Sequence, residues 1–179
     1  MIAPSELIIN PDGSCFHLHL KPEQLADKII MVGDPDRVNT VASYFDTKEC
    51  EVSSREFHTI TGTYKGKRIT TLSHGIGTDN IDIVLNELDA LANIDFASRT
   101  IKPEFRQLTM VRVGTSGGLQ PFVPVGTYVA AGKSIGFDGV LYFYAGSEEV
   151  RDKAFESELI RQLEWKLNDI KTYVVSADP

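Results

Sequence analysis

An arginine stands inside an apolar run, followed at once by small and hydroxylated residues, in Val111-Arg112-Val113-Gly114-Thr115-Ser116-Gly117-Gly118. Three kinds of chemistry fit such residues. Gly114-Thr115-Ser116-Gly117-Gly118 matches the G-x-S-x-G turn that exposes a nucleophilic serine after a strand. That arrangement takes its base from a histidine later in the chain, whereas His17, His19, His58 and His74 all precede Ser116. The second kind is dinucleotide binding. Gly75-Ile76-Gly77 precedes a helical pattern, but Asn80 stands where the third glycine belongs, and no acidic residue closes a second strand at the required distance. A tight strand-to-helix turn explains this pair of glycines.

The third kind is anion binding. Gly33 and Gly114 each end a strand-like run, where backbone N–H groups can approach an anion closely and a helix N-terminus adds favourable field. Arg37 falls one turn into the helix expected after Gly33, Arg112 ends the later strand, and Thr115 and Ser116 add hydroxyl donors. Guanidinium groups suit phosphate because they offer paired, rigid donors and stay charged. Taken alone, Arg112 fits a structural ion pair equally well, and Arg37 fits a solvated helix residue. Their joint placement after two strand ends favours a site. The alternating His17 and His19 make a poor metal pair, with no carboxylate partner in view.

The elements that must position these residues alternate between strand and helix, which predicts an α/β layered fold. Lys28–Val32 is a continuous apolar strand. Asp34 then caps a helix with Pro35 at its first position, and Val38, Val41, Ala42 and Phe45 give that helix an apolar face. Glu56–Tyr64 and Arg68–Ser73 read as strands joined by a tight turn at Lys65-Gly66. Thr78-Asp79 can cap a second helix bearing Ile81, Val84, Leu85, Leu88 and Ala92 on one face. The charged, weakly periodic segment Asn93–Gln107 reads as a long surface loop. Strands are expected at Leu108–Val113, Gly126–Ala131 and Tyr173–Ser176, and a helix from Ser147 to about Asn168.

The chain has 179 residues, 42% of them hydrophobic, enough for one buried core, so a single domain is expected. A net charge of -7 opposes approach to a nucleic-acid backbone or an anionic membrane, but a small anion can bind where arginines converge. Cys15 and Cys50 make no disulfide framework. No secretion signal and no membrane-spanning run is legible, and a cytoplasmic protein is expected. The chain stops shortly after a strand, where a parallel sheet would continue through a crossover helix. It therefore reads as a domain cut short.

"GDPDRV" (Gly33–Val38), "SREFHTITGTYKGK" (Ser54–Lys67), "SHGIG" (Ser73–Gly77) and "VRVGTSGGLQP" (Val111–Pro121) occur in that order, after "FHLHL" (Phe16–Leu20). Together they resemble the nucleoside phosphorylase family, most closely its uridine phosphorylases, from about Phe16 to the end of the chain. The resemblance implies a three-layer α/β/α fold with a mixed central sheet, truncated at the C-terminus. It implies the reaction of a nucleoside with phosphate to give free base and ribose 1-phosphate. Phosphate is then a co-substrate, and no metal or organic cofactor is needed.

By the same resemblance, Gly33 and Arg37 match one phosphate-binding motif, and Arg112, Gly114 and Thr115 match another. Arg55 matches an arginine that reaches the phosphate of the neighbouring subunit. His17 matches a histidine that contacts the ribose across the same interface. A homodimer is then the minimum unit, and a trimer of dimers fits as well. Thr115, Ser116 and Gly117 match the stretch beside sugar and base. Glu56 and Ile76 match positions that hold a cation in some relatives, but Asn80 departs from the usual serine. The family runs about a hundred residues further, through the residues that read uracil. The 179-residue chain alone is therefore expected to be inactive. Purine nucleoside phosphorylases share much of the pattern, and a non-catalytic phosphate or nucleoside binding protein is the alternative of another class.

Overall fold

The computed structural model describes residues 1–163 and 172–178. They form two compact units, Met1–Thr115 and Ser116–Pro179. Among the described residues no helix is long and apolar enough to cross a membrane.

The first unit contains, in chain order, β1 (Lys28–Val32), α1 (Pro35–Ala42), β2 (Thr47–Ser54), β3 (Phe57–Tyr64), β4 (Lys67–Ser73), α2 (Thr78–Asn93), β5 (Ile94–Asp95), β6 (Thr100–Ile101) and β7 (Thr109–Arg112). Five strands make one mixed sheet in the order β2-β3-β4-β1-β7. β1 runs parallel to β4 and β7, while β2, β3 and β4 are antiparallel neighbours.

β1 is apolar after Lys28 because both faces of the sheet are covered there. Ile29 and Met31 pack with Phe57 and Leu72 against Val84, Leu88 and Leu91 of α2. Val32 packs with Ile60 against Val38 and Ala42 of α1. Successive strand residues point to opposite faces, so the two helices lie on opposite sides of the sheet. This is the expected α/β/α layering, and each fully buried aliphatic side chain contributes roughly 1.5–3 kcal/mol toward it.

Local signals set several boundaries. Asp34 caps α1, its Oδ1 accepting from the Asp36 amide at 2.9 Å, with Pro35 as the first helical residue. The helix stops at Ala42, so Phe45 lies past its end, yet still packs against the Val38 cluster. Lys65 and Gly66 take φ of 49° and 73°, the turn geometry that matches strand twist. α2 begins one residue earlier than its hydroxyl signal suggests. Gly77 is the N-cap and makes no side-chain bond, which leaves Thr78 and Asp79 inside the first turn.

The segment expected as a long loop, Asn93–Gln107, instead contains the β5–β6 hairpin. It secures its surroundings. Lys102 Nζ donates to the carbonyls of Leu91 and Ala92 at 3.3 and 2.9 Å, satisfying groups at the end of α2. Arg99 donates to the carbonyls of Ile2, Ala3 and Leu7 and ties down the N-terminal residues.

The second unit contains β8 (Lys133–Gly136), α3 (Ser147–Val150), α4 (Lys153–Gln162) and β9 (Tyr173–Ser176), with β8 and β9 antiparallel. The strand expected at Gly126–Ala131 does not form. Thr127 turns back onto the Pro124 carbonyl through both its amide and its hydroxyl, at 3.2 and 2.7 Å, and the segment has no ladder partner among the described residues. The single helix expected from Ser147 is two helices. The break falls at Arg151 and Asp152, where Arg151 bridges Val175 and Asp152 caps α4 by accepting from the Phe155 amide at 3.0 Å. The expected continuation through 164–168 lies outside the described residues. Tyr173–Ser176 is a strand, as its sequence predicts.

Candidate anion-binding cleft

Three parallel strands, β4, β1 and β7, deliver their carboxyl ends to one edge of the sheet, the usual place for a ligand in such folds. A cleft of about 880 Å³ opens there, within the first unit. Gly33, Asp34 and Pro35 line it after β1, residues 74–77 with Asn80 after β4, and Arg112, Gly114 and Thr115 after β7. α1 and α2 both start at this cleft, so two positive helix ends face it. Arg37 reaches the lining from the first turn of α1. Two arginines, two helix N-termini and a threonine hydroxyl suit an anion. Asp34 and Glu56 also line the cleft and limit its positive potential.

Arg112 is tethered. Its Nε donates to His74 Nε2 at 2.9 Å. A Cβ at Gly114 would lie 2.5 Å from Arg112 Nη1, so a larger residue there would make the guanidinium shift from the position it holds. His74 is 2% exposed. Burial first, and then the charge of Arg112, hold its pKa below the ordinary histidine value.

Gly75 takes φ of 67°, and a Cβ there would sit 2.8 Å from both Asn80 Nδ2 and Glu56 Cγ. Gly33 is under no such demand, since a Cβ would meet its neighbours at an ordinary 3.8 Å. Asn80 Nδ2 donates to Glu56 Oε1 at 2.8 Å and to the Ile76 carbonyl at 3.1 Å. The Glu56 carboxyl is held below its ordinary value, first by its own backbone amide and then by Asn80. The Asn80 amide thus engages an oxygen at each of the two positions that the resemblance links to a cation. The residues present do not fit a cation at this point.

Arg55 and His17 both meet Phe16. Arg55, at φ 55°, places its guanidinium 5.9 Å from the Phe16 ring centroid, and Phe16 meets the His17 ring edge-on at 4.8 Å. His17 Nδ1 lies 2.7 Å from Glu87 Oε1, and Glu87 also accepts from the amides of His17 and Leu18 at 2.8 Å each. Neither Arg55 nor His17 is among the residues lining the cleft. Ser116 and Gly117 belong to the second unit, are exposed, and are not among the lining residues. No helix follows Ser116 closely, so the serine-nucleophile turn is not formed.

Sequence reasoning did not single out His74 or Glu87. Each carried a signal. His74 is a polar ring directly after a strand whose last residues are all buried. Glu87 is a carboxylate on the apolar stripe of α2, between Val84 and Leu91.

The phosphorylase superfamily profile matches residues 27–176. A nucleoside phosphorylase from Trypanosoma brucei, whose crystal structure is described as showing uridine phosphorylase activity, superposes at a TM-score of 0.82 with 35% identity, over 97% of this chain and 58% of its own. The uridine phosphorylase of Thermococcus kodakarensis is 30% identical over 137 residues, 76% of this chain and 44% of its own. A DeoD-type purine nucleoside phosphorylase of Roseobacter denitrificans is 34% identical over 116 residues, 64% of this chain and 44% of its own. The chain spans about half the length of the curated relatives it matches. With a profile match over most of its length and a mixed sheet that opens an arginine-lined cleft at its strand ends, the chain belongs to the phosphorylase superfamily, among its nucleoside phosphorylases.

Proposed function

We propose that the protein catalyses phosphorolysis of uridine, giving uracil and ribose 1-phosphate, and that the cleft holds the phosphate. The observation that carries this reading is the meeting of Arg37 and Arg112 in one cleft with two helix N-termini. In the reaction the bond from C1′ to the base nitrogen breaks, its electron pair leaves with the base, and positive charge develops on the sugar. A phosphate dianion held below C1′ stabilises that charge, and one of its oxygens then bonds to C1′. The protein's share is positioning and preorganised electrostatics. Gly33, Arg37, Arg112, Gly114 and Thr115 hold the anion, and Thr115, Ser116 and Gly117 serve the sugar and base. No metal or organic cofactor has a part in this chemistry.

That Arg55 and His17 are not among the lining residues of the cleft supports a further element of the reading. These two serve the site of a neighbouring subunit, which makes a homodimer the minimum active unit and leaves a trimer of dimers open as the larger assembly. A purine substrate is the second reading, because a DeoD-type purine nucleoside phosphorylase matches at similar identity.

The test uses the full natural protein and follows uracil release from uridine and hypoxanthine release from inosine, with and without phosphate. Phosphate-dependent uracil release is expected. Phosphate-dependent hypoxanthine release alone transfers the reading to purines. Release without phosphate marks a hydrolase, and no release from either nucleoside leaves a binding protein.

A further inference from the structure

We propose that His74 is a positioning residue: by accepting from Arg112 Nε it fixes the guanidinium that grips phosphate. The proposal rests on the phosphorolysis reading for its function, and on geometry for the contact itself. Arginine Nε is a donor only, so a 2.9 Å contact with His74 Nε2 requires a lone pair on that nitrogen. The proton of the neutral ring is then on Nδ1. That atom is buried and has no hydrogen-bond partner among the described residues. A histidine kept only for packing would not need a buried, unpaired donor, since an apolar residue of similar size would fill the space at lower cost. The ring's place is itself fixed. Its own amide donates to the Val32 carbonyl at 2.9 Å.

The contact uses only the Nε of Arg112. Both Nη groups stay available as the paired donors that a phosphate takes, and Gly114 leaves space for Nη1. Arg112 is exposed and sits on the outermost strand of the sheet. His74 is the one hydrogen-bond partner of its side chain among the described residues. Without that acceptor a long side chain with several rotatable bonds has nothing to hold it toward the cleft. The charged group that acts on the ring is Arg112 from β7, and Asp34, Arg37 and Glu56 are the other charged residues lining the same cleft. Burial and Arg112 both favour the neutral ring that the contact needs.

The test compares His74→Leu and His74→Gln in the full natural protein. His74→Leu removes the acceptor, and His74→Gln keeps a carbonyl oxygen that can accept from Nε. Inorganic phosphate is titrated calorimetrically, and KM is measured for phosphate and for nucleoside. Losing a hydrogen bond to a charged group is expected to weaken phosphate binding about tenfold or more in His74→Leu. KM for the nucleoside should change little, and His74→Gln should recover most of the loss. Equal impairment of the two variants, or none in His74→Leu, overturns the proposal. Nitrogen-15 NMR of the wild-type imidazole tests the contact without a variant. A bare Nε2 and a protonated Nδ1 are expected, and a proton on Nε2 overturns the pairing. A wild-type protein that neither binds phosphate nor cleaves a nucleoside overturns the phosphorolysis reading instead, whatever the tautomer.

Discussion

Leu88 and Leu91 in the first unit are fully buried among Ile29, Phe57 and Leu72, whereas Val174 is the only hydrophobic side chain of the second unit buried among the described residues. Leu119, Phe122, Val129 and Phe143 of the second unit are all exposed. That unit is joined instead by polar contacts. Arg151 forms a bidentate pair with Glu156 at 2.9 and 2.5 Å, reaches Glu148 at 2.6 Å, and stacks 4.6 Å from the Tyr142 ring. Lys133 pairs with Asp152, and the Tyr173 hydroxyl donates to Asp138 at 2.7 Å. Ion pairs near water contribute little net stability, because desolvation and screening offset their attraction. Burial scales with apolar area and is insensitive to charge state. The cleft is therefore built where geometry is held by packing, and the second unit depends on its protons.

The sharpest division between the units is chemical. Arg112→Ala should lower phosphate-dependent turnover of the full protein by about a hundredfold to a thousandfold, with circular dichroism and melting unchanged. Retained activity would show that the cleft is not the site. Next is Leu88→Ala, which should cost about 3 kcal/mol in chemical denaturation through the cavity it leaves. Phe143→Ala, at 90% exposure, should stay within about 0.5 kcal/mol. Equal effects would erase the contrast.

Glu156→Ala leaves Arg151 without its buried partner and the Val174 amide without its acceptor, and should loosen the second unit by about 3 kcal/mol. The NMR signals of Val174 report it, while those of Leu88 stay put. Acid should act in the same order. Arg151 holds the Glu156 carboxyl below its ordinary 4.5, and Lys133 holds Asp152 below its ordinary 3.8. Carboxyls depressed in the folded state stabilise above those ordinary values and lose the contribution as pH falls below them. An acid titration should disturb Val174 before Leu88, and the reverse order would refute the assignment. The smallest effect is expected from Asp34→Ala, about 1 kcal/mol from loss of the α1 cap.

What could be read from sequence follows the range of the interaction that decides it. The Asp34-Pro35 cap, the Lys65-Gly66 turn and the apolar β1 run are set within a few residues, and all three were legible. The β5–β6 hairpin was not, because two-residue strands carry no period. Gly126–Ala131 has strand-like composition, but a strand needs a partner, and pairing lies outside any local window. The same limit applies to the site. Residue types and strand ends pointed to Arg37 and Arg112, and the structure brings both to one cleft. The tether between Arg112 and His74 joins residues 38 positions apart. That Arg55 and His17 fall outside the lining of the cleft is a matter of tertiary placement, which no local window reports.

β7 has a ladder partner, β1, on one side only among the described residues. Met110 and Val111 along it, and Val113 just past its end, are 42, 56 and 54% exposed. A strand with one unpaired edge and apolar side chains is a template for further strands. In concentrated solution, self-association by edge-to-edge addition should limit this chain before unfolding does. The net charge of -7 slows such encounters at low ionic strength. Added salt screens that repulsion, so the chain should become less soluble in the very buffers chosen to weaken its ion pairs.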